Sequence, residues 1–295
     1  MKLLAPKYFN DFKCIADKCS HSCCIGWEID VDEDTMEKYR ALSHPYAKGV
    51  LDSIDIENTP HFKLCEGERC PHLNEKGLCN IITNLGEELL CDICREHPRF
   101  YLFSPTFTEV GLGMACEEAC RIILSSCEYD TFVELEGGST AAEESGFDPI
   151  EHRKGLFEIL KSPRPYKDKL LTIYSAYGIN LSAINQERVD ELLGGLEYLD
   201  SKHKKLFACL SLTIDTPPHL EPILERALAY FIYRHCTEAL DEGELVCALG
   251  FALFCERLLC SVTQKTGDPY LSARIISEEL EYSEDNTEKI KELFI

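Results

Sequence analysis

Along the second half of the chain, apolar residues recur every three or four positions. From Leu220, the apolar positions Ile223, Leu224, Ala227, Leu228, Phe231 and Ile232 share one helical face, and Pro217 and Pro218 stand just ahead of them. That spacing predicts an amphipathic helix, with the prolines as a start signal. Asp241, Glu242 and Gly243 interrupt the pattern, and a second helix is predicted over Glu244 to Ser261. Its apolar run, Leu245 to Leu259, carries Glu256 and Arg257 and is too short to span a bilayer, so it reads as a buried helix. Further helices are predicted at Glu187 to Leu212 and at Ala273 to Leu293, the latter strongly acidic.

The first half has no such period. Cysteine-rich loops separate short segments such as Ile29 to Tyr39, with no internal repeat and no low-complexity tract. Twelve of the 17 cysteines lie between Cys14 and Cys127. This asymmetry predicts two units: a cysteine-cluster domain over 1–133 and a helical domain over 151–295. Between them, 134–150 holds Gly137, Gly138, Ser139, Glu143, Glu144, Ser145, Gly146 and Pro149, a composition typical of a linker. The expected fold is therefore mainly α, a loop-rich metal-binding region followed by an all-helical region.

Composition narrows the class. A chain of 295 residues can bury a core without staples, and 45% hydrophobic with 28% charged residues excludes wholesale disorder and a membrane-embedded chain. The first ten residues carry lysines but no apolar core of signal-peptide length. An odd number of cysteines in a large chain then points to reduced thiols and a cytoplasmic location. The formal charge of -22 repels nucleic acid and anionic membranes and favours cationic partners, including lysine-rich or sulfonium-bearing ligands.

The cysteines fall in groups: Cys14, Cys19, Cys23 and Cys24, then Cys65, Cys70 and Cys79, then Cys91 and Cys94 with His97 three residues on. A Cys-x-x-Cys pair lets two thiolates of one turn converge on an ion, and remote cysteines complete the tetrahedron. Adjacent cysteines rarely ligate one metal together. Four thiolates suit zinc or an iron-sulfur cluster. A radical-type cluster needs cysteines spaced by three and then two residues, and Gly26 stands where the third would fall. His97 suits zinc by type, but its place before Pro98 favours a role in orienting that turn. Cys116, Cys120 and Cys127 have helical spacing that suits core or extra ligands, with core favoured, and Cys209, Cys236, Cys247, Cys255 and Cys260 read as small hydrophobes in apolar helices. Trp27 reads as core filling.

The stretch PKYFNDFKCIADKCSHSCCIGW, Pro6 to Trp27, with CPHLNEKGLCNIITNLGEELLCDICREHPRFY, Cys70 to Tyr101, resembles the flagellin lysine-N-methylase family. YFIYRHCTEAL, Tyr230 to Leu240, is similar to the family's C-terminal region, less distinctively. The resemblance implies methyl transfer from S-adenosylmethionine to lysine side chains of flagellin, with a cysteine-bound iron-sulfur cluster of the 4Fe-4S type and zinc as the alternative. It places Cys19, Cys23, Cys24, Cys70, Cys79, Cys91 and Cys94 in the family's cysteine motif, without saying which four hold metal.

Lysine has a pKa of about 10.4 and must lose its proton before attacking a methyl group. Tyr230 and Tyr233 are candidate proton acceptors by type. Arg95, Arg99 and Arg234 are candidate anchors for the donor's carboxylate, against the plainer reading as ion pairs in an acidic protein. Gly111-Leu112-Gly113 is too short for a glycine-rich donor loop, so no doubly wound methyltransferase domain is expected. The rival readings are a non-catalytic zinc- or iron-binding interaction module and an iron-sulfur electron-transfer protein.

Overall fold

A computed structural model describes residues 2–104, 106–138 and 146–295. Its contacts divide the chain into a smaller unit, Lys13–Arg99, and a larger one formed by the residues up to Phe12 with Phe100–Ile295. This corrects the division expected at 134–150, of which 139–145 lie outside the described residues. The elements on either side of that stretch, a strand at Phe132–Glu136 and a helix at Pro149–Lys161, both belong to the larger unit. A polar, glycine-containing stretch marks a surface connection equally well inside one unit and between two.

Six strands occur among the described residues: β1 Lys2–Pro6, β2 Ile54–Asp55, β3 His61–Phe62, β4 Arg99–Phe103, β5 Phe107–Leu112 and β6 Phe132–Glu136. Four of them make a sheet in the order β4-β5-β1-β6, in the part of the chain where the sequence predicts a loop-rich region. β1 runs parallel to β5, with Leu4 opposite Glu109, and antiparallel to β6, with Ala5 opposite Val133. These strands are short, and β5 buries four consecutive residues, Glu109 to Leu112. A run carrying Glu and Gly shows no alternation from which a strand could be read.

The C-terminal part is all-helical, as expected, around the helices Glu221–Cys236 and Glu242–Thr266. Asp241 caps the second by accepting from the Glu244 N–H, and Gly267 ends it in the left-handed conformation at φ 75°. With 25 residues it is long and apolar enough to cross a bilayer by length and composition, which corrects the reading of its run as too short. Inside the protein, 83% of that window is buried. Its two buried charges, Glu256 and Arg257, pair with each other. Glu256 also accepts from the Tyr166 hydroxyl at 2.8 Å, and Arg257 donates to the Thr213 carbonyl at 3.0 Å, so this is a core helix with both of its buried charges satisfied.

Two predicted helices are subdivided. Glu187 to Leu212 resolves into Gln186–Gly195 and Ser201–Leu206, the second capped by Asp200. Ala273 to Leu293 resolves into a helix at Pro269–Ile276, a π-helical turn at Ser277–Glu281 and a helix at Glu284–Lys291 capped by Ser283. Apolar periodicity passes through both breaks, because all these pieces face one core.

The smaller unit has its own core of Ile29, Val31, Met36, Tyr39, Val50, Ile54, Phe62, Ile81 and Cys91. Trp27 packs against it, partly buried, in keeping with core filling. Around it lie the helices Glu33–Ala41, Pro45–Asp52, Asn80–Leu85 and Asp92–Glu96 and the β2–β3 pair.

Candidate metal centre

Three remote segments of the smaller unit converge through main-chain pairing. The Cys70 N–H donates to the Cys24 carbonyl at 2.8 Å, Ile25 bridges to Arg69, and the Gly26 N–H reaches the Glu68 carbonyl at 3.0 Å. Gly26 has φ 84°, the left-handed region open to glycine at no steric cost. Next, Leu73 bridges to Cys79 and the Asn80 N–H donates to the His72 carbonyl at 2.7 Å. Cys79 and Cys91 each stand immediately before a short helix. Asp32 binds the third segment: its carboxylate accepts from the Thr35 N–H at 2.9 Å and from the Asp92 N–H at 2.8 Å. The Tyr39 hydroxyl donates to the Leu89 carbonyl at 2.7 Å, holding the approach to Cys91.

The outcome is one thiol locus. Cys24, Cys70, Cys79, Cys91 and Cys94 lie close enough for their charges to act on one another. Several sulfurs also accept main-chain N–H groups: Cys70 from His72, Cys79 from Ile82 and Ile81, and Cys91 from Cys94. Such N–H donors favour thiolate and tune thiolate-bound metals.

The thiols differ accordingly. A hydrogen bond with the Cys23 thiol does most to bring Cys24 down to about 7, against the effect of burial, with Ser22 and the Arg69 charge assisting. Burial pushes Cys70 up to about 12, and the charges of Cys24, Cys79 and Cys91 add to it. Burial also raises Cys79. Between Cys91 and Cys94 a shared hydrogen bond lowers the first and raises the second.

Of the seven motif cysteines, then, five share the locus and Cys23 touches it through Cys24, while the Cys19 thiol donates to the His21 carbonyl. Cys14 and Cys65 are exposed. Among the described residues, no three His, Cys, Asp or Glu side chains are arranged to hold one metal ion, so the metal-binding region expected from sequence is a gathering of thiols and not a formed coordination shell. The donor set nevertheless fits a thiolate-bound metal. The sulfurs are soft and N–H-supported, and their mutual repulsion is what a bound cation would cancel. His97 is partly buried, with its Nε2 enclosed and without a hydrogen-bond partner, and desolvation lowers it to about 4.

Away from this locus, Cys120, Cys236, Cys255 and Cys260 are buried as expected of small hydrophobes, whereas Cys127 and Cys209 are exposed. Cys209 lies outside the helices, at φ 54°.

Arg95 pairs with Asp92 and Glu96 on the surface of the smaller unit, and Arg99 donates to the Arg95 carbonyl at 3.3 Å. Arg234 belongs to the larger unit and is partly buried in a network. It donates to the Tyr230 hydroxyl at 2.8 Å and pairs with Glu281 at 3.4 Å, while His235 Nε2 meets Glu281 at 2.7 Å.

Tyr230 and Tyr233 do not suit proton acceptance. Burial pushes both phenols well above their ordinary value, so at neutral pH they hold their protons. Tyr230 donates to Glu281 at 3.1 Å, and the buried Tyr233 hydroxyl has no partner. Burial pushes the Glu281 carboxyl up, but the Arg234 guanidinium and His235 outweigh it and hold the group below the usual carboxylate range. Glu281 closes the π-helical turn, whose wider backbone places it here. The Gly111-Leu112-Gly113 string serves packing: a Cβ on Gly111 would stand 2.3 Å from the Phe100 ring, and one on Gly113 2.3 Å from the Tyr282 hydroxyl.

A neutral histidine supports the smaller unit. The His72 ring is buried between the Tyr46 hydroxyl at 2.9 Å and the Ser53 hydroxyl at 3.0 Å, and burial lowers its pKa to about 4. A folded pKa below the unfolded value means stability that is complete above about 6.5 and lost as pH falls toward 4, because the unfolded chain binds the proton first. By linkage, His72 alone is expected to cost about 2 kcal/mol at pH 5 relative to pH 7.5. Urea unfolding at the two pH values, with His72→Phe for comparison, checks this. The variant should lose that part of the pH dependence.

The comparisons support the family resemblance. The chain is 31% identical over 127 residues to the flagellar biosynthetic protein FliU of Salmonella muenchen, which covers 41% of this chain and 75% of that protein. It belongs to this family. Lysine-N-methylases of Salmonella choleraesuis and Salmonella typhimurium are each 29% identical over 127 residues, again 41% of this chain. The match spans 32% of the length of either methylase. No family model and no solved structure matches. Family members thus carry names that support a methyltransferase role tied to lysine and to the flagellum.

Proposed function

We propose that this chain methylates lysine side chains of flagellin with S-adenosylmethionine as donor, and that the thiol locus holds an iron-sulfur cluster on which activity depends. The observation that carries the reading is membership of a family with relatives named for lysine N-methylation and for flagellar biosynthesis. Cys24, Cys70, Cys79, Cys91 and Cys94 are the residues that would supply the four ligands. When bound, the cluster brings a compact cationic core with electron-transfer capacity, where zinc would bring only a structural knot.

In the transfer itself, the lysine nitrogen's lone pair forms the new N–C bond as the sulfonium S–C bond breaks, leaving a thioether. Lysine first gives up its proton, and the methylated nitrogen leaves as an ammonium ion, so each transfer releases one proton. With 52 acidic residues against 30 basic ones, the chain attracts a lysine-bearing surface, which supports capture but not deprotonation. Tyr230, held protonated, is better suited to fixing Glu281, to which its hydroxyl donates at 3.1 Å.

The test is anaerobic purification with iron, sulfide and zinc analysis, followed by mass spectrometry of flagellin incubated with the protein and S-adenosylmethionine. Brown protein and single-methyl mass increments on lysine are expected. Colourless, zinc-loaded protein that leaves flagellin unmodified would favour the interaction-module reading instead.

A further inference from the structure

The larger unit contains a cavity of about 390 Å³ whose wall is unlike the rest of this acidic chain. Four cationic side chains, Lys161, Arg164, Lys169 and Arg226, face it against two carboxylates, Glu221 and Glu225. Two of the cations are already spent. Lys169 is buried and pairs with Glu225 at 2.6 Å, and Lys161 pairs with Asp130 at 2.7 Å.

Arg164 and Arg226 differ from these. Arg164 donates to the Thr172 hydroxyl at 3.3 Å. Arg226 donates to the Leu124 carbonyl at 3.0 Å and to the Cys127 sulfur at 3.3 Å. None of these acceptors is a carboxylate, and among the described residues neither guanidinium has an ion-pair partner. Glu221 has none either.

Two helices also begin at the cavity wall, Tyr166–Tyr177 and Glu221–Cys236, and neither has a side-chain cap. Their open first turns add partial positive charge where Arg164 and Arg226 stand. A wall with two unspent guanidiniums and one unspent carboxylate is complementary to a ligand carrying both signs. The volume falls within the range of small-molecule sites, roughly 300 to 1,000 Å³.

We propose that this cavity binds the amino-acid end of a small molecule, with Arg164 and Arg226 on its carboxylate and Glu221 on its ammonium group. Arg226 and Glu221 share one helix, so the two halves of the head group are read from one rigid element. A bare phosphate would satisfy the arginines and leave Glu221 unmatched, which is why the zwitterion fits better. The inference deepens the methyl-transfer reading by giving the donor's methionine end a place, and rests on that reading only for the ligand's identity.

The test is calorimetric titration of the full chain with S-adenosylhomocysteine, and separately with inorganic phosphate. Wild type, Arg164→Gln, Arg226→Gln and Glu221→Gln are compared, and a thermal melt of each shows that it is folded. Binding of S-adenosylhomocysteine is expected, weakened roughly tenfold or more by each substitution, since each removes one charge-assisted contact. Because Arg226 also holds the Leu124 carbonyl, the exposed Arg164 gives the cleaner reading should Arg226→Gln fail to fold.

No binding to wild type, equal affinity in Arg164→Gln and wild type, or binding of phosphate alone would each overturn the proposal. Flagellin methylation is measured in parallel. Transfer that persists unaltered in the variants sinks the cavity assignment alone, and arginine-dependent binding without any transfer sinks the methylase reading alone.

Discussion

On the proposed cluster reading, Cys91→Ser and Cys24→Ser are expected to abolish iron loading, while Cys23→Ser and Cys247→Ser keep most of it. The contrast follows from position. Cys91 is a buried member of the smaller unit's core, its sulfur accepts the Cys94 N–H, and its charge is felt at Cys70, Cys79 and Cys94. Cys24 acts on Cys70, Cys79 and Cys94 in the same way. Serine in either place offers a hydroxyl that stays protonated where a thiolate is needed.

Cys23 acts on the locus through its hydrogen bond to the Cys24 thiol, so its loss should raise the Cys24 pKa and leave the ligand in place. Cys247, partly buried against the Phe294 carbonyl at 3.8 Å in the larger unit, is a cysteine control. Changes to groups that only support metal ligands typically cost 10- to 100-fold, so loss of a ligand itself should lower methyl incorporation by roughly 100-fold or more. Iron content per chain is the primary measurement. Equal iron in Cys91→Ser and Cys247→Ser would remove the thiol locus from the mechanism altogether.

The sequence alone led to this region because cysteine spacing survives as a pattern even where secondary structure is irregular. It singled out seven motif cysteines without ranking them. What it lacked was the pairing of Cys24 with Cys70 and of Leu73 with Cys79, contacts between residues 46 and 6 positions apart that no local rule encodes. The C-terminal helices were legible for the opposite reason, since their apolar period is local. Where two helices were merged, the period continued through Asp200 and through the π-helical turn, and only the caps at Asp200 and Ser283 mark the breaks.

The sheet was invisible. β1 pairs with β5 about a hundred residues away, and β5 carries a glutamate at a fully buried position. The cavity was missed because its residues come from three stretches, around Cys127, Lys161 and Glu221, none unusual in itself.

That glutamate also explains how the sheet is fastened, and it predicts the largest stability effect in the molecule. Arg153, on the helix Pro149–Lys161, donates to both oxygens of Glu109 at 2.6 and 2.7 Å and to the Thr237 hydroxyl at 2.7 Å. Its guanidinium also lies 4.6 Å from the centre of the Phe132 ring on β6. The two side chains are only 5% and 1% exposed, so one ion pair joins β5 to two helices out of reach of water.

Removing one member strands the other as a buried, uncompensated charge, and Arg153→Met is expected to cost about 3 to 5 kcal/mol. Glu109→Leu should cost a similar amount. The double variant E109L/R153M leaves no stranded charge and keeps most of the apolar volume, so it should recover much of the loss, because the pair's own attraction largely offsets the cost of burying it. Guanidinium unfolding of the four proteins completes the cycle. Single variants within about 1 kcal/mol of wild type would mean that water reaches this pair and that the sheet is held to its helices by apolar packing alone.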